Sequence, residues 1–564
     1  MKLIGDWIAI AAAIGRLLYW KLWGHVPRHL ERNYGPKGNP KFMSAVNAVR
    51  HIVPGDVVVV CGLGATGWCP AVFKAITVLY KRTGIPNQLT VFAIAGQGDR
   101  GNDLGSVDCL AKYPGLVKEF FTGHMETFRY TIKAAWRGDL ELVCMPQGTF
   151  ARGLALAACG CHSIVTKVGI GTFADPAVKN GKGTKVGPLA SQQWVVNDGG
   201  QLRYDLSKRK PTVAVVVGTC ADPDGNVSLK RCPLRGEASA AVLAVKKNGG
   251  LVIFQVGYFV DKLPEAEIDI AGSDIDIIVV RPDTPQTFCF TQRHPLWSLV
   301  PGAKVNLERA LKVDAWLNRI AKLTPTRTKE DQQVARAGAW LLSQLVKVGA
   351  VGNVGVGLPE LVAAWLKRAG VMAGLNIKVE SGPSGGVAAQ GPLFGCMHGA
   401  TKVQESPEVF AEFEAGIDFA VLGAAQIGAN GDVNSSMRGK DLVGPGGMQS
   451  IAYGARKIIF LMRATDKRTG DSRFVSEVDE VTFSAEQALA AGKEVYYVTD
   501  FAVFKLVQDI GRSGLKPIYR MPGCSGGEIM NRMPFILATP DSKGIDYLPE
   551  SVVAGENFLL ELAE

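Results

Sequence analysis

The sequence predicts an α/β protein made of two related halves, each built on a largely parallel sheet. Three observations carry this expectation. Strand-length apolar runs alternate with helix-length stretches along the chain. A polar stretch, residues 324–331, breaks the series, and a second series starts after it. The halves also echo each other: Asp224-Gly225-Asn226-Val227 follows a strand in the first, and Asn430-Gly431-Asp432-Val433-Asn434 follows one in the second. At 564 residues the chain is too long for one core.

The elements can be justified in order. Residues 1–40 form an extension, read as helical, in which Trp7 to Trp20 is mostly apolar. Arg16 interrupts that run, so it is too short for a spanning helix, and it lacks the charged start and cleavage site of a signal peptide. A face of Trp7, Ile10, Ala11, Ile14 and Leu18 is expected to pack on the body or on a neighbouring subunit. A membrane surface is the second choice, given Lys21, Arg28 and Arg32. The first half, 41–323, has strand candidates at 56–61, 89–95, 140–145, 212–217, 250–256 and 275–280, and a helix at 70–81. Residues 324–331 read as a linker. The second half, 332–564, opens with a helix over 332–348, and 375–379 reads as a short strand.

Composition narrows the function. The chain is 47% hydrophobic and 20% charged with 66 glycines, which suits a compact protein with many tight turns. The formal charge of +10 is spread out, with no basic run or aromatic-interleaved stripe, so nucleic-acid binding is not expected. Such a charge fits an anionic substrate and equally a merely solvated surface. The eleven cysteines form no metal-ligand pattern, since Cys159-Gly160-Cys161 is too tight and isolated. No metal site is expected, and a reduced cytoplasmic compartment fits best.

The most informative segment is Val379-Glu380-Ser381-Gly382-Pro383-Ser384-Gly385-Gly386. A carboxylate at a strand end, followed by Gly, Ser and Pro, is placed for access and can serve as a covalent nucleophile. A solvated turn acid is the plain alternative. Other glycine-rich turns accompany it: Gly62-Leu63-Gly64-Ala65-Thr66-Gly67, Asn353-Val354-Gly355-Val356-Gly357-Leu358-Pro359, and Gly444-Pro445-Gly446-Gly447. The first has dinucleotide-loop spacing, but no acid stands about twenty positions on, as that motif needs. Gln147 follows a strand in Pro146-Gln147-Gly148-Thr149, where a neutral amide can donate to a carboxylate or carbonyl. His124 and His162 read as structural or surface residues.

In order and spacing, these motifs resemble the family I coenzyme A transferases, in particular the single-chain acetate or propionate (3-oxoacid) type. The resemblance runs from about Lys41 to about Phe535. It implies duplicated α/β halves with the active site between them. It implies Glu380 as nucleophile, with Gln147, Asn353, Val354, Gly446, Gly447, Gly62 and Gly64 lining the oxyanion or substrate site. It further implies CoA contacts at Gly423, Gln426, Asn430 and Lys402. CoA would be substrate and covalent intermediate, with no permanently bound cofactor. Acyl-CoA and a carboxylic acid would be the substrates, on a homodimer or homotetramer. One departure stands out: Ala93-Ile94-Ala95-Gly96-Gln97-Gly98-Asp99 lacks the paired asparagine often present there, so substrate contacts in that stretch do not carry over. Rival readings are a CoA-thioester or ring-opening hydrolase on the same fold, a non-catalytic ligand-sensing module, and an NAD-dependent enzyme.

Overall fold

Runs of β-branched residues and the glycine turns between them assemble two large sheets. The computed structural model describes residues 2–24, 27–98, 105–125, 127–178, 185–186, 195–321, 327–438, 441–509, 511–540 and 544–554.

In the first sheet the strand Val57–Val60 is buried at every position, as a strand covered on both faces should be. It pairs in parallel with Leu89–Ala93 on one side and Val213–Ala221 on the other, Val59 lying opposite Phe92 and Ala214. The order across the sheet is Ile277–Val280, Leu251–Phe259, Val213–Ala221, Val57–Val60, Leu89–Ala93, Val117–Thr122, Glu141–Cys144 and Lys185–Val186. All these neighbours are parallel except the last pair. Helix Pro70–Thr83 begins on proline, whose missing N–H costs nothing there, and ends at Gly84 with φ 73°.

The second sheet runs Asn376–Ile377, Val351–Val354, Ile417–Gly423, Ala455–Leu461, Glu494–Val498, Ala502–Asp509, Arg512–Arg520 and Asp546–Tyr547. Its first five strands are parallel, and Ala502–Asp509 then turns antiparallel. The expected α/β class with largely parallel sheets is therefore what the chain adopts.

Two expectations need correction. Of the expected linker, 324–326 lie outside the described residues, and its end is helix. Thr328 and Asp331 form a reciprocal capping box that starts helix Lys329–Leu345, so Lys329 to Asp331 make its first turn. The N-terminal face also differs. Helix α1, Lys2–Tyr19, buries Ile10, Ala13 and Leu17, while Trp7 and Leu18 are 54% exposed and Ala11 is exposed. The helix is apolar nearly all round, so spacing alone selects no face. Asp6 selects it: its carboxylate accepts from Arg309 Nε at 2.8 Å and Lys312 Nζ at 2.9 Å on helix Leu307–Ala321.

The two sheets share one apolar core, which runs from Ile10 through Phe92, Phe254 and Phe460 to Leu537. A second cluster, including Leu342, Val362, Phe419 and Val498, lies within the second half. Polar bonds stitch the seam between sheets: Met125 N–H to Val443 O at 2.6 Å, Phe173 N–H to Val481 O at 2.8 Å, and Ser406 N–H to Gly236 O at 2.8 Å.

Candidate active site

Loops leaving the carboxyl ends of strands meet at this seam, where parallel sheets place ligand-facing groups. Glu380 comes first. Lys378 N–H bonds to Gly352 O at 3.0 Å, and the chain then turns with Gly382 N–H on Val379 O at 2.9 Å. Gly382 has φ 119°, and a Cβ there would strike the Gln404 carbonyl. Ser381 Oγ donates to the Gly395 carbonyl. The turn is tied on both sides and leaves Glu380 half-buried.

Asn353, from strand Val351–Val354, is fully buried beneath it. Its Nδ2 donates to Lys378 O at 3.0 Å, and its side chain also engages the Glu380 carboxyl. Asn353 Oδ1 has no hydrogen-bond partner among the described residues. Burial pushes the Glu380 carboxyl above the ordinary carboxylate range, with its own backbone N–H and Asn353 offsetting part of the rise. Val354 ends the same strand and is half-buried.

The turn 444–447 forms the facing wall. A Cβ on Gly447 would lie 3.4 Å from Glu380 Cγ, 3.3 Å from Phe410 Cε1 and 3.1 Å from Ile451 Cδ1. Gly446, with φ 57°, uses its N–H on Gly123 O at 2.9 Å, and its carbonyl accepts from Gln147 N–H at 3.2 Å. The two glycines thus differ: Gly446 has a committed N–H, whereas the Gly447 N–H bonds to no backbone carbonyl among the described residues.

Gln147 is buried at the start of helix Gln147–Ala158, and its Nε2 donates to Ile94 O at 3.2 Å. A Cβ on Gly446 would sit 3.9 Å from Gln147 Oε1 and 3.6 Å from His124 Cδ2. The structure therefore puts His124 on the wall of the site, beside Gln147, rather than apart from it. The available signal was position: His124 follows strand Val117–Thr122 at the same edge from which Gln147 follows Glu141–Cys144.

The first glycine loop lies one layer back. A Cβ on Gly395 would contact both Leu63 Cδ2 and Ser381 Oγ. Gly62, with φ 130°, packs so tightly that a Cβ would meet the carbonyls of Thr66 and Gly67. Gly64 N–H is bonded to Gly96 O at 2.8 Å, and the Phe394 ring covers its Cα. The loop backs the turn that carries Glu380, and the Gly64 N–H is already committed to Gly96 O.

Three of the expected CoA contacts follow one another along the chain, from the end of strand Ile417–Gly423 through strand Gln426–Gly428 to the turn after it. Gly423 ends strand Ile417–Gly423, with no atom outside its chain neighbours within 4 Å of where a Cβ would stand. Gln426 is committed: its Oε1 accepts from Asn434 Nδ2 at 2.7 Å and Asp479 N–H at 3.2 Å. Asn430 closes a turn with Asp432. Lys402 is exposed on a two-residue ribbon opposite Ser384 and acts on Glu412, the partner of Lys378, rather than on Glu380. Among the described residues no cluster of His, Cys, Asp or Glu could hold a metal ion.

Comparison with known proteins gives this geometry its context. A coenzyme A transferase family model matches residues 42–281. Caffeate CoA-transferase of Acetobacterium woodii is 31% identical over 493 residues, covering 83% of this chain and 89% of that one. Acetate CoA-transferase YdiF of Escherichia coli K12 is 30% identical over 532 residues, covering 90% of this chain and 95% of that one. The crystal structure of acyl-CoA transferase YdiF from E. coli O157:H7, a thioester complex with CoA, matches with a TM-score of 0.80 at 25% identity, over 94% of this chain and 100% of that one. Likeness of this extent, spanning both sheets and the seam between them, makes the chain a member of the coenzyme A transferase family and a CoA-transferase.

Proposed function

We propose that this protein moves CoA from an acyl-CoA donor to a free carboxylic acid through covalent intermediates on Glu380. The observation that carries the reading is the pairing of Glu380 with Gly447: a carboxylate in an open turn, and a glycine against its Cγ whose amide makes no bond to a backbone carbonyl among the described residues.

The steps follow from the groups present. A Glu380 oxygen attacks the thioester carbonyl; the C–S bond breaks, CoA leaves as thiolate, and a mixed acyl–glutamyl anhydride forms. The thiolate then attacks the glutamyl carbonyl and expels the donor's carboxylate, leaving a glutamyl–CoA thioester. The acceptor carboxylate attacks that thioester and releases the thiolate, which finally attacks the acceptor acyl carbon and frees Glu380. Each tetrahedral intermediate carries an oxyanion, for which Gly447 N–H is the donor and Gln147 the neutral amide beside it. Losing one such donor costs roughly 3 kcal/mol. Gly446 shapes the turn without donating. Burial destabilises the ionised Glu380 carboxyl and makes it the more reactive nucleophile when ionised, while Asn353 holds it in place.

The division of labour between halves is part of the proposal: 41–323 supplies Gln147 and His124, and 332–564 supplies the nucleophile, Asn353 and the donor. Residues 1–40 stand outside it. The test is steady-state kinetics with varied acyl-CoA and acceptor acid. Parallel double-reciprocal lines are expected. Intersecting lines, or free CoA released equally well without an acceptor, would replace this reading with direct transfer or hydrolysis.

A further inference from the structure

We propose that helix α1 docks this protein on an anionic membrane surface. Of the 23 large apolar side chains exposed among the described residues, seven lie between Ile4 and Trp23. Ile4, Ile8 and Leu18 recur at helical spacing on the side opposite the buried Ile10, Ala13 and Leu17, with Trp7 and Tyr19 at its edges, and Leu22 follows in the π-helical turn Trp20–Gly24 that continues α1. Ala11 and Gly15 continue the same outer face, which carries no charged residue. The body of the chain covers one side of this helix and leaves the other bare. A contiguous apolar face of this kind is a docking surface rather than scattered exposure.

The charges around the face select its occupant. Arg16 and Lys21 flank it. Gly15, Arg16, Tyr19 and Trp23 also line an open cleft of about 970 Å³, together with Arg28 and Arg293. Among the described residues lining it, the one acid, Asp283, is paired with Arg281 at 2.8 Å. A second copy docking through this face would set the same basic rim against itself, because a two-fold contact uses one patch twice. Anionic lipid neutralises that rim instead. Tryptophan and tyrosine with one apolar and one polar edge suit the headgroup boundary. No helix among the described residues is long and apolar enough to cross a membrane, so α1 would lie in the interface plane with its outer face in the acyl boundary and the cleft over the lipid phosphates.

The experiment sediments the full chain with vesicles of phosphatidylcholine, alone or with about a third phosphatidylglycerol. Binding to the anionic vesicles is expected, at least about tenfold above that to phosphatidylcholine alone. The double variant Ile8→Ser/Leu22→Ser should lose about tenfold or more of it with CoA transfer unchanged. Arg16→Gln and Lys21→Gln should each weaken it about fivefold. Absence of binding to anionic vesicles, or binding unaffected by the double variant, overturns the proposal. Light scattering separates the alternative: a double variant that falls to a smaller oligomer, with no vesicle binding by the parent chain, would assign the face to a second copy.

Discussion

Two glutamates at the seam between the sheets, Glu380 and Glu237, share a perturbed carboxyl and differ in everything else. Burial pushes both above the ordinary carboxylate range, Glu237 to about 8. Glu237 precedes helix Ala238–Lys247 and is fully buried, and the Ser406 hydroxyl and its own backbone N–H offset only part of the rise. Glu405 from the second half accepts from Ser239 and Ala240 N–H at the same helix start, and its charge raises Glu237 further. Glu237 is thus a sealed acid, next to Gly236, which backs on Gly62. Glu380 is half-buried in an open turn, with Asn353 beside it and Gly447 facing it. A raised pKa marks a buried acid; only access and a nearby oxyanion donor mark a nucleophile.

The contrast breaks most directly by mutation. Glu380→Ala should drop CoA transfer to background, roughly a 10⁴-fold loss or more, because a covalent carboxylate has no substitute. Glu380→Asp should lose about 10²-fold, since one methylene misplaces the attacking oxygen by about 1 Å. Glu237→Gln should stay within about twofold of the parent turnover. Turnover assays on the three variants check this, and equal losses at both glutamates would end the distinction. The acid limb of the rate should also lie above the ordinary glutamate value of 4.5, because the attacking form is the ionised one and burial delays its appearance.

The glycine pair sharpens the same contrast on the donor side. Gly447→Ala should cost about 10²–10³-fold in kcat with KM for acyl-CoA little changed. Gly446→Ala should cost less in catalysis, since its N–H is already bonded to Gly123 O; its effect is backbone strain at φ 57°, about 1 kcal/mol. The reverse ranking would move the donor to Gly446.

Stability tests the sealed acid. The folded pKa of Glu237 is raised, so its folded form resists ionisation while the unfolded chain ionises freely. Stability is full below about 4.5 and is lost as pH rises to about 8. Glu237→Gln escapes this loss. Its advantage in denaturant unfolding should grow between those pH values and then level, at no more than about 5 kcal/mol. No gap, or one that shrinks with rising pH, would contradict the sealed-acid account.

The smallest catalytic effect is expected from removing residues 1–40, which should leave kcat within about threefold. Stability should fall by about 3 kcal/mol or more as Ile10, Ala13 and Leu17 and their cover are lost. Calorimetry and turnover on the truncated chain measure both. Loss of activity in a folded truncation would bring this segment into the active site.

Much of this was legible in the residues. Period and turn chemistry located six strands of the first sheet to within a few residues, because runs such as Val57–Val60 are apolar on both faces and bounded by glycine or proline, but missed Val117–Thr122, whose apolar run Lys118 and Glu119 interrupt. Glu380, Gln147 and Asn353 stood out through the resemblance to the coenzyme A transferases; read alone, each fits a turn or strand-end residue equally well. What escaped was whatever depends on long-range partners. The buried face of α1 turned on Asp6 meeting Arg309 and Lys312, some 300 residues away. The distinction between Gly446 and Gly447 turned on Gly123 O, and the commitment of Gln426 on Asn434 and Asp479. His124 looked like any lone histidine until the turn 444–447 came to rest beside it.

The central claim is that Glu380 itself carries CoA. Brief exposure to acyl-CoA without an acceptor acid, followed by intact-protein and peptide mass spectrometry, tests it most directly. The account predicts added CoA mass on the chain, mapped to the tryptic peptide Val379–Lys402 and absent from Glu380→Ala. An active enzyme that gains no such mass, or gains it on another peptide, would contradict it.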